Sequence, residues 1–347
     1  MCSTRFWQVL VVAIAVTSFG CLPRASSSHR ELLTTYFELS DPPVPAGALS
    51  RAERKAVAAY FNRCVDIYIC VFSDRWPPVD RFDRAETGAM LTHIDDLLLS
   101  LTRSMKKVPK EIAWDCLRDR VRREPQGRSA YLCILLAGDL RLTCSREDLR
   151  RLGLSRNGPA YIRWVAALAL THLDDWSAEV ALWEGIESGD VLPPDAEFMD
   201  AEHVASHRES WRGHTVCRLA LGPSPAGRVR RFCELFRDPR IGKEATRAIA
   251  KVLGSFKDDP LALSSLEEAL GDKSRPSTVR WQCAESLGLQ GHRSSLAALA
   301  KALEDEGWGV RASAAEAIGS IIGQGFQATD EGIEQARRWL AEQKDLR

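Results

Sequence analysis

Apolar positions along this chain recur at helical spacing. Leu296, Leu299 and Leu303 stand at i, i+3 and i+7 within "RSSLAALAKALED", which is one stripe of an amphipathic helix. Met90-Leu91, Ile94, Leu97-Leu98 and Leu101 form a second stripe of the same period. Polar residues mark where such stretches begin. Ser50 with Glu53, Asp83 with Glu86 and Ser145 with Asp148 have the spacing of a capping box or a close variant. Pro159 fits the first turn of a helix, and Gly153 follows the helical segment before it. "CVDIYICVF" (64–72) leans toward β in composition. It comes straight out of a capped helical run, however, and reads as a buried helix end. The sequence has no alternating strand series and no Asn-Gly hairpin signal. The fold class expected is all-α.

The helices repeat. "VRWQCAESLG" (279–288) and "VRASAAEAIG" (310–319) align at an offset of 31, matching Val279 with Val310, Arg280 with Arg311, Ala284 with Ala315, Glu285 with Glu316 and Gly288 with Gly319. Cys283 falls on Ala314 and Leu287 on Ile318. Self-similarity at a period of this size marks a solenoid. The amphipathic stretch between the two copies makes each unit a pair of helices. Small residues at 283–284 and 314–315 let neighbouring helices approach closely, and Gly288 and Gly319 suit a left-handed position after a helix end. "EATRAIAKVLG" (244–254) aligns at an offset of 34 but lacks the Val-Arg pair. "IRWVAALAL" (162–170) aligns at an offset of 117, bringing Ile162 onto Val279, Arg163 onto Arg280 and Trp164 onto Trp281. The match continues without a gap, with Leu182 reaching Leu299 and Ile186 reaching Leu303. "TDEGIEQARRWLAEQ" (329–343) reads as a closing helix with a polar outer face.

The pattern of Val-Arg, small residues and Leu/Ile-Gly, with Asp272 or Asp305 upstream, resembles HEAT repeats in their short bacterial form. The resemblance implies an α-solenoid of stacked antiparallel helix pairs. It also implies that Arg280 and Arg311 are structural and bond neighbouring repeats, and that Cys283, standing where alanine is usual, is a packing residue. Repeats are expected over 158–347, with an irregular unit at 190–240. Residues 49–155 are expected to be helical, either as degenerate repeats or as a separate domain.

The N-terminus carries an address. "MCSTRFWQVLVVAIAVTSFGC" has one cation, Arg5, then an apolar run from Phe6 to Val16 broken only by Gln8, then small residues. That order is a secretory signal, and the run is shorter than the ~20 residues a spanning helix needs. Ser18-Phe19-Gly20-Cys21 resembles the lipobox of bacterial lipoproteins, although Ser18 stands where leucine is usual. The resemblance implies that residues 1–20 are removed and that Cys21 carries acyl chains, which anchor stably when there are several. Soluble secretion and an uncleaved signal-anchor are the alternatives. Residues 21–48, with "LPRASSSHR" and the proline-rich "DPPVPAG" (41–47), read as a tether.

The composition narrows the function classes. The 347 residues carry 47 Lys plus Arg against 47 Asp plus Glu, so there is no basic footprint for nucleic acid. The local run "RVRR" (228–231) reads as a solvated helix face. Beyond Cys2 and Cys21, the eight cysteines at 64, 70, 116, 133, 144, 217, 233 and 283 contain no C-x-x-C pair, which argues against zinc knuckles and thioredoxin-like chemistry. Most are expected as small buried residues, with room for one or two bridges. "HVASHRESWRGH" places His203 and His207 at i and i+4, with His214 seven residues on. The spacing is similar to the metzincin pattern, but Val204 stands where that chemistry needs its general-base glutamate.

The sequence therefore favours a non-enzymatic protein-interaction scaffold, lipid-anchored at the bacterial envelope. It would have no cofactor, no evident small-molecule substrate and an unidentified protein partner. The alternative is an envelope enzyme or metal-binding protein built on 195–214, where Asp195, Glu197, Asp200 and Glu202 gather near the histidines.

Overall fold

A computed structural model of the chain describes residues 47–73, 99–189, 191, 201–223 and 225–343. Every regular element among them is helical. The chain divides into two compact units, one ending at Asp148 and the other beginning at Leu149.

The first unit includes the helices α1 (Arg51–Ser73), α2 (Lys110–Arg123) and α3 (Arg128–Asp139). The Ser50/Glu53 capping box forms in full. The Ser50 amide donates to Glu53 Oε2 at 2.7 Å, and the Glu53 amide donates to Ser50 Oγ at 3.3 Å. These bonds satisfy two donors that a bare helix start would leave orphaned. The β-leaning stretch continues α1, with Cys64, Val65, Ile67 and Tyr68 buried. Its aromatic and β-branched residues pack against α2 and α3, so burial overrides local propensity. Arg120 on α2 ties back to α1, donating to Asn62 Oδ1 and to Asp66 Oδ1 at 2.7 Å. The Ser145/Asp148 box does not form. Ser145 lies in a 3₁₀ turn (Thr143–Ser145) and its hydroxyl donates to the Leu142 carbonyl, while Asp148 accepts from Trp114 Nε1 at 3.1 Å. Asp83, Glu86 and the stripe from Met90 to Leu98 lie outside the described residues; Leu101 is buried.

After α4 (Arg146–Leu154), the second unit is a succession of helix pairs. These are α5 (Ala160–His172) with α6 (Glu179–Ser188), α7 (Ala201–Ala220) with α8 (Pro225–Arg237), and α9 (Lys243–Ser255) with α10 (Pro260–Gly271). They continue as α11 (Ser277–Gln290) with α12 (Leu296–Ala302), and α13 (Trp308–Ile322) with α14 (Asp330–Glu342). First helices stack in order, α7 on α9, α9 on α11 and α11 on α13. Second helices follow, α8 on α10 and α10 on α12. This is an all-α solenoid. The stretch expected to be irregular contains two helices, α7, which packs on α9, and α8, which packs on α9 and α10. It escapes the repeat pattern because α7 is 20 residues long and carries no Val-Arg motif.

Local chemistry starts and stops these helices. Asp259 caps α10, its carboxylate accepting from the amides of Leu261 and Ala262 with Pro260 in the first turn. Thr329 caps the closing helix α14, accepting from the Gly332 amide at 3.1 Å. Leu296, Leu299 and Leu303 are all buried, each contributing roughly 1.5–3 kcal/mol by leaving water.

Gly288 and Gly319 differ from the expectation that they end helices. The left-handed residues are Gly291 (φ 77°) and Gly323 (φ 75°), three and four positions later. Gly288 instead lies inside α11 where α13 comes closest: a Cβ there would stand 2.8 Å from Ala317 Cα. Gly254 plays the same part on α9 against Ser286 of α11, its Cβ falling 2.7 Å from Ser286 Cβ. On α13 the corresponding face meets no further helix among the described residues. A Cβ at Gly319 would meet the Gln324 carbonyl and the Phe326 amide, so the segment after α13 folds over that position. Gly288→Val is therefore expected to destabilise the protein by about 1–3 kcal/mol, the usual cost of overpacking, measured by the denaturant midpoint at unchanged slope.

Candidate functional site

The repeat motif assembles a buried ionic cluster between α11 and α13. Arg280 is 1% exposed, and its guanidinium forks onto Asp305 of the following repeat, Nε to Oδ2 at 2.9 Å and Nη2 to Oδ1 at 2.8 Å. Nη1 donates to the carbonyls of Lys273 and Arg275. Asp305 also accepts from the Gly307 amide at 2.8 Å, which fixes the entry to α13. Arg311 has a different set of acceptors, the backbone carbonyls of Asp305 and Glu306 in the loop leading into its own helix. One arginine thus joins two repeats and the other closes a loop. Burial pushes the Asp305 carboxyl upward, but the hydrogen bonds from Arg280 and Gly307 outweigh it and hold the carboxyl below the usual aspartate range.

Arginines on other helices make comparable links. Arg228 of α8 is buried against α6, with Nη2 donating to Glu179 Oε2 at 2.5 Å and its guanidinium 4.8 Å from the centre of the Trp176 ring. Arg231 reaches Glu187 at 2.8 Å and lies over Trp183. The "RVRR" run is therefore not simply a solvated face: Arg228 and Arg231 staple α8 to α6, and Arg230 alone of the three is exposed. Arg212 donates to the Ile186 and Glu187 carbonyls at the end of α6, satisfying acceptors that a helix end leaves open. Arg237 reaches Glu268, and Arg337 reaches both Glu304 and the Leu303 carbonyl. Sequence reasoning missed these links because arginine is as common on solvated faces as in staples. The available signal was the interleaving of Arg228 and Arg231 with buried Val229 and Phe232.

The buried cysteines behave as packing residues. Seven of the eight are described and free; Cys64, Cys116, Cys133, Cys233 and Cys283 are buried, and Cys144 and Cys217 are exposed. Burial pushes the Cys283 thiol up to about 12 and the Cys64 and Cys133 thiols to about 11, opposite to the direction a nucleophilic thiolate requires. Between α1 and α2 lies a cleft of about 460 Å³ bordered by Arg54, Lys55 and Arg123, with Asn62, Cys116 and Arg120 among its lining. Asn62 donates to Cys116 Sγ and accepts from Arg120, so these lining groups bond to one another.

The acid and histidine cluster is only partly in view. Asp195, Glu197 and Asp200 and the side chains of Glu202, His203 and His207 lie outside the described residues, as does Cys21. His214 is exposed on α7 with its ring edge-on to Trp211, centroids 5.8 Å apart. Among the described residues, no group of three His, Cys, Asp or Glu is placed to hold a metal.

Residues 273–345 match the family model for HEAT repeats. That stretch is similar to HEAT repeats. It covers α11 to α14, including the Arg280–Asp305 cluster and the close approach at Gly288. No curated protein matches the chain. HEAT repeats commonly mediate protein interactions, so the segment points to a scaffold.

Removing one member of the buried pair leaves the other uncompensated. Asp305→Ala is expected to cost about 3–5 kcal/mol in denaturant unfolding. The acid dependence follows from the lowered carboxyl pKa. The contribution of Asp305 is fully present above its unfolded value of about 3.9, and is lost as pH falls through the lower folded value. Asp305→Asn is expected to flatten the loss of stability below about pH 4 that the parent protein shows.

Proposed function

We propose that the chain is a non-enzymatic protein-interaction scaffold, held at the bacterial cell envelope by lipid on Cys21. The observation that carries the scaffold reading is the HEAT-repeat match at 273–345, continuous with helix pairs reaching back to α5. Stacked helix pairs present long surfaces suited to protein partners. The balance of 47 basic against 47 acidic residues supports a protein rather than a nucleic-acid partner. The upward-shifted thiols support structural rather than nucleophilic cysteines.

The anchor rests on the sequence alone, on the charged start, the short apolar run and Gly20-Cys21. No described helix is long and apolar enough to cross a membrane. Residues 1–20 would be the cleaved signal, and residues 21–48 the tether between lipid and folded body. Envelope placement would bring the scaffold to partners at a membrane surface, with the second unit as the docking element.

Mass spectrometry of the mature N-terminus is expected to find a chain beginning at Cys21 and carrying the mass of acyl groups. Cys21→Ser is expected to move the protein from the membrane to the soluble fraction. A chain that keeps residues 1–20, or an unmodified Cys21, would defeat the anchor. Gentle crosslinking in envelope extracts is expected to recover a specific protein. Recovery of none would count against the scaffold.

A further inference from the structure

Large apolar side chains lie exposed on two consecutive first helices. Trp281 on α11 is 37% exposed and Trp308 on α13 is 50% exposed. Paired half-exposed tryptophans on a packed, rigid pair of helices are the kind of residue that anchors an interface. Ala312, which shares the register of Trp281 on α13, is only 2% exposed.

The repeat register fixes what surrounds Trp281. Positions on α9 map to α11 at an offset of 34, and positions on α11 map to α13 at 31. Lys243 on α9 thus stands at the level of Ser277, one turn above Trp281. Glu316 on α13 stands at the level of Glu285, one turn below it. Trp281 is therefore the midpoint between Lys243 and Glu316, one helix and one turn from each. The same rule places Lys251 on α9 opposite Trp308 on α13 about the same midpoint. Lys243, Lys251 and Glu316 are exposed, and among the described residues none has an ion-pair partner.

A face with this symmetry complements itself. A two-fold axis through Trp281 brings Lys243 of one copy over Glu316 of the other, twice. It also brings each Lys251 ammonium toward Trp308, whose indole Nε1 donates to Asp330 Oδ1 at 2.9 Å, so the cation meets a ring with a carboxylate beside it. Isologous dimers require this property, a patch matching its own rotated image. We propose that the exposed face of α9, α11 and α13 is a homodimer interface, with its two-fold axis at Trp281 and reciprocal Lys243–Glu316 pairs on either side. A partner of a single charge fits less well, because Lys243 and Lys251 on one edge oppose Glu316 on the other.

The size of the face sets the strength. α11 has 14 residues, about 21 Å of helix at ~1.5 Å per residue. Three helices spaced about 9 Å apart give a footprint of roughly 570 Å² per copy. Two copies then bury on the order of 1,100 Å², at the low end of specific interfaces. The dimer is accordingly weak and concentration-dependent. Confinement to a surface, as the lipid anchor would provide, raises the local concentration and favours it. The pairing itself stands on the register and charges of this face, independent of the anchor.

The test is sedimentation velocity on the purified chain carrying Cys21→Ser, under reducing conditions so that the exposed Cys144 and Cys217 do not crosslink. A reversible dimer is expected by about 200 µM. Trp281→Ala, Lys243→Glu and Glu316→Lys are each expected to weaken it by tenfold or more. Lys243→Glu and Glu316→Lys chains mixed in equal amounts are expected to regain the dimer, because each then meets its opposite charge across the axis. Neither charge variant regains it alone, and damage to the fold would not be repaired by mixing. A chain that stays monomeric, a dimer indifferent to these substitutions, or a mixture that shows no recovery would overturn the proposal.

Discussion

Everything from α9 onward depends on how closely consecutive first helices approach. Gly254 lies against Ser286 and Gly288 against Ala317, each at a distance that leaves no room for a Cβ. Packing at this range brings backbone against backbone and fixes the register of one helix on the next. Other contacts follow from that register. With α11 and α13 locked, Arg280 reaches Asp305 across the repeat boundary, and the second helices fall into line for the Arg237–Glu268 and Arg337–Glu304 links. The buried Arg280–Asp305 pair contributes specificity more than net energy, since two charges taken from water return little beyond their desolvation cost. Its geometry is satisfied in one register, so a slipped stack would bury unpaired charge.

The same glycine position on α13 is covered differently. Where Gly288 meets Ala317, Gly319 meets the backbone of Gln324 and Phe326. The glycine position is repeated, but a folded-back segment takes the place of a further helix. Thr329 then starts α14 with its own cap.

Much of this was legible in the sequence because repetition amplifies weak signals. A single Val-Arg-x-x-small-small motif says little, whereas its return at an offset of 31 with the same glycine fixes both the helix and its buried face. The capping box at Ser50 rests on local chemistry and holds in the structure, and the helix it starts carries through the β-leaning stretch 64–72. The parts that misled depend on neighbours the sequence does not name. Gly288 reads as a helix end by type, yet its use is close approach, which only the packing of α13 reveals. Trp164 and Trp281 share a motif position but not an environment. Trp164 is fully buried, donating to Thr215 with Trp211 packed edge-on at 5.4 Å, while Trp281 stays half in water. The functional address at Cys21 is legible only as a pattern of charge, apolar run and small residues.

Native-state hydrogen exchange of α11 and α13 tests the central constraint most directly. If the close approach at Gly288 locks the two helices, their slowest amides open together with one free energy. Gly288→Val then lowers protection in both by the same amount. A drop confined to α11, with α13 unchanged, would contradict the account.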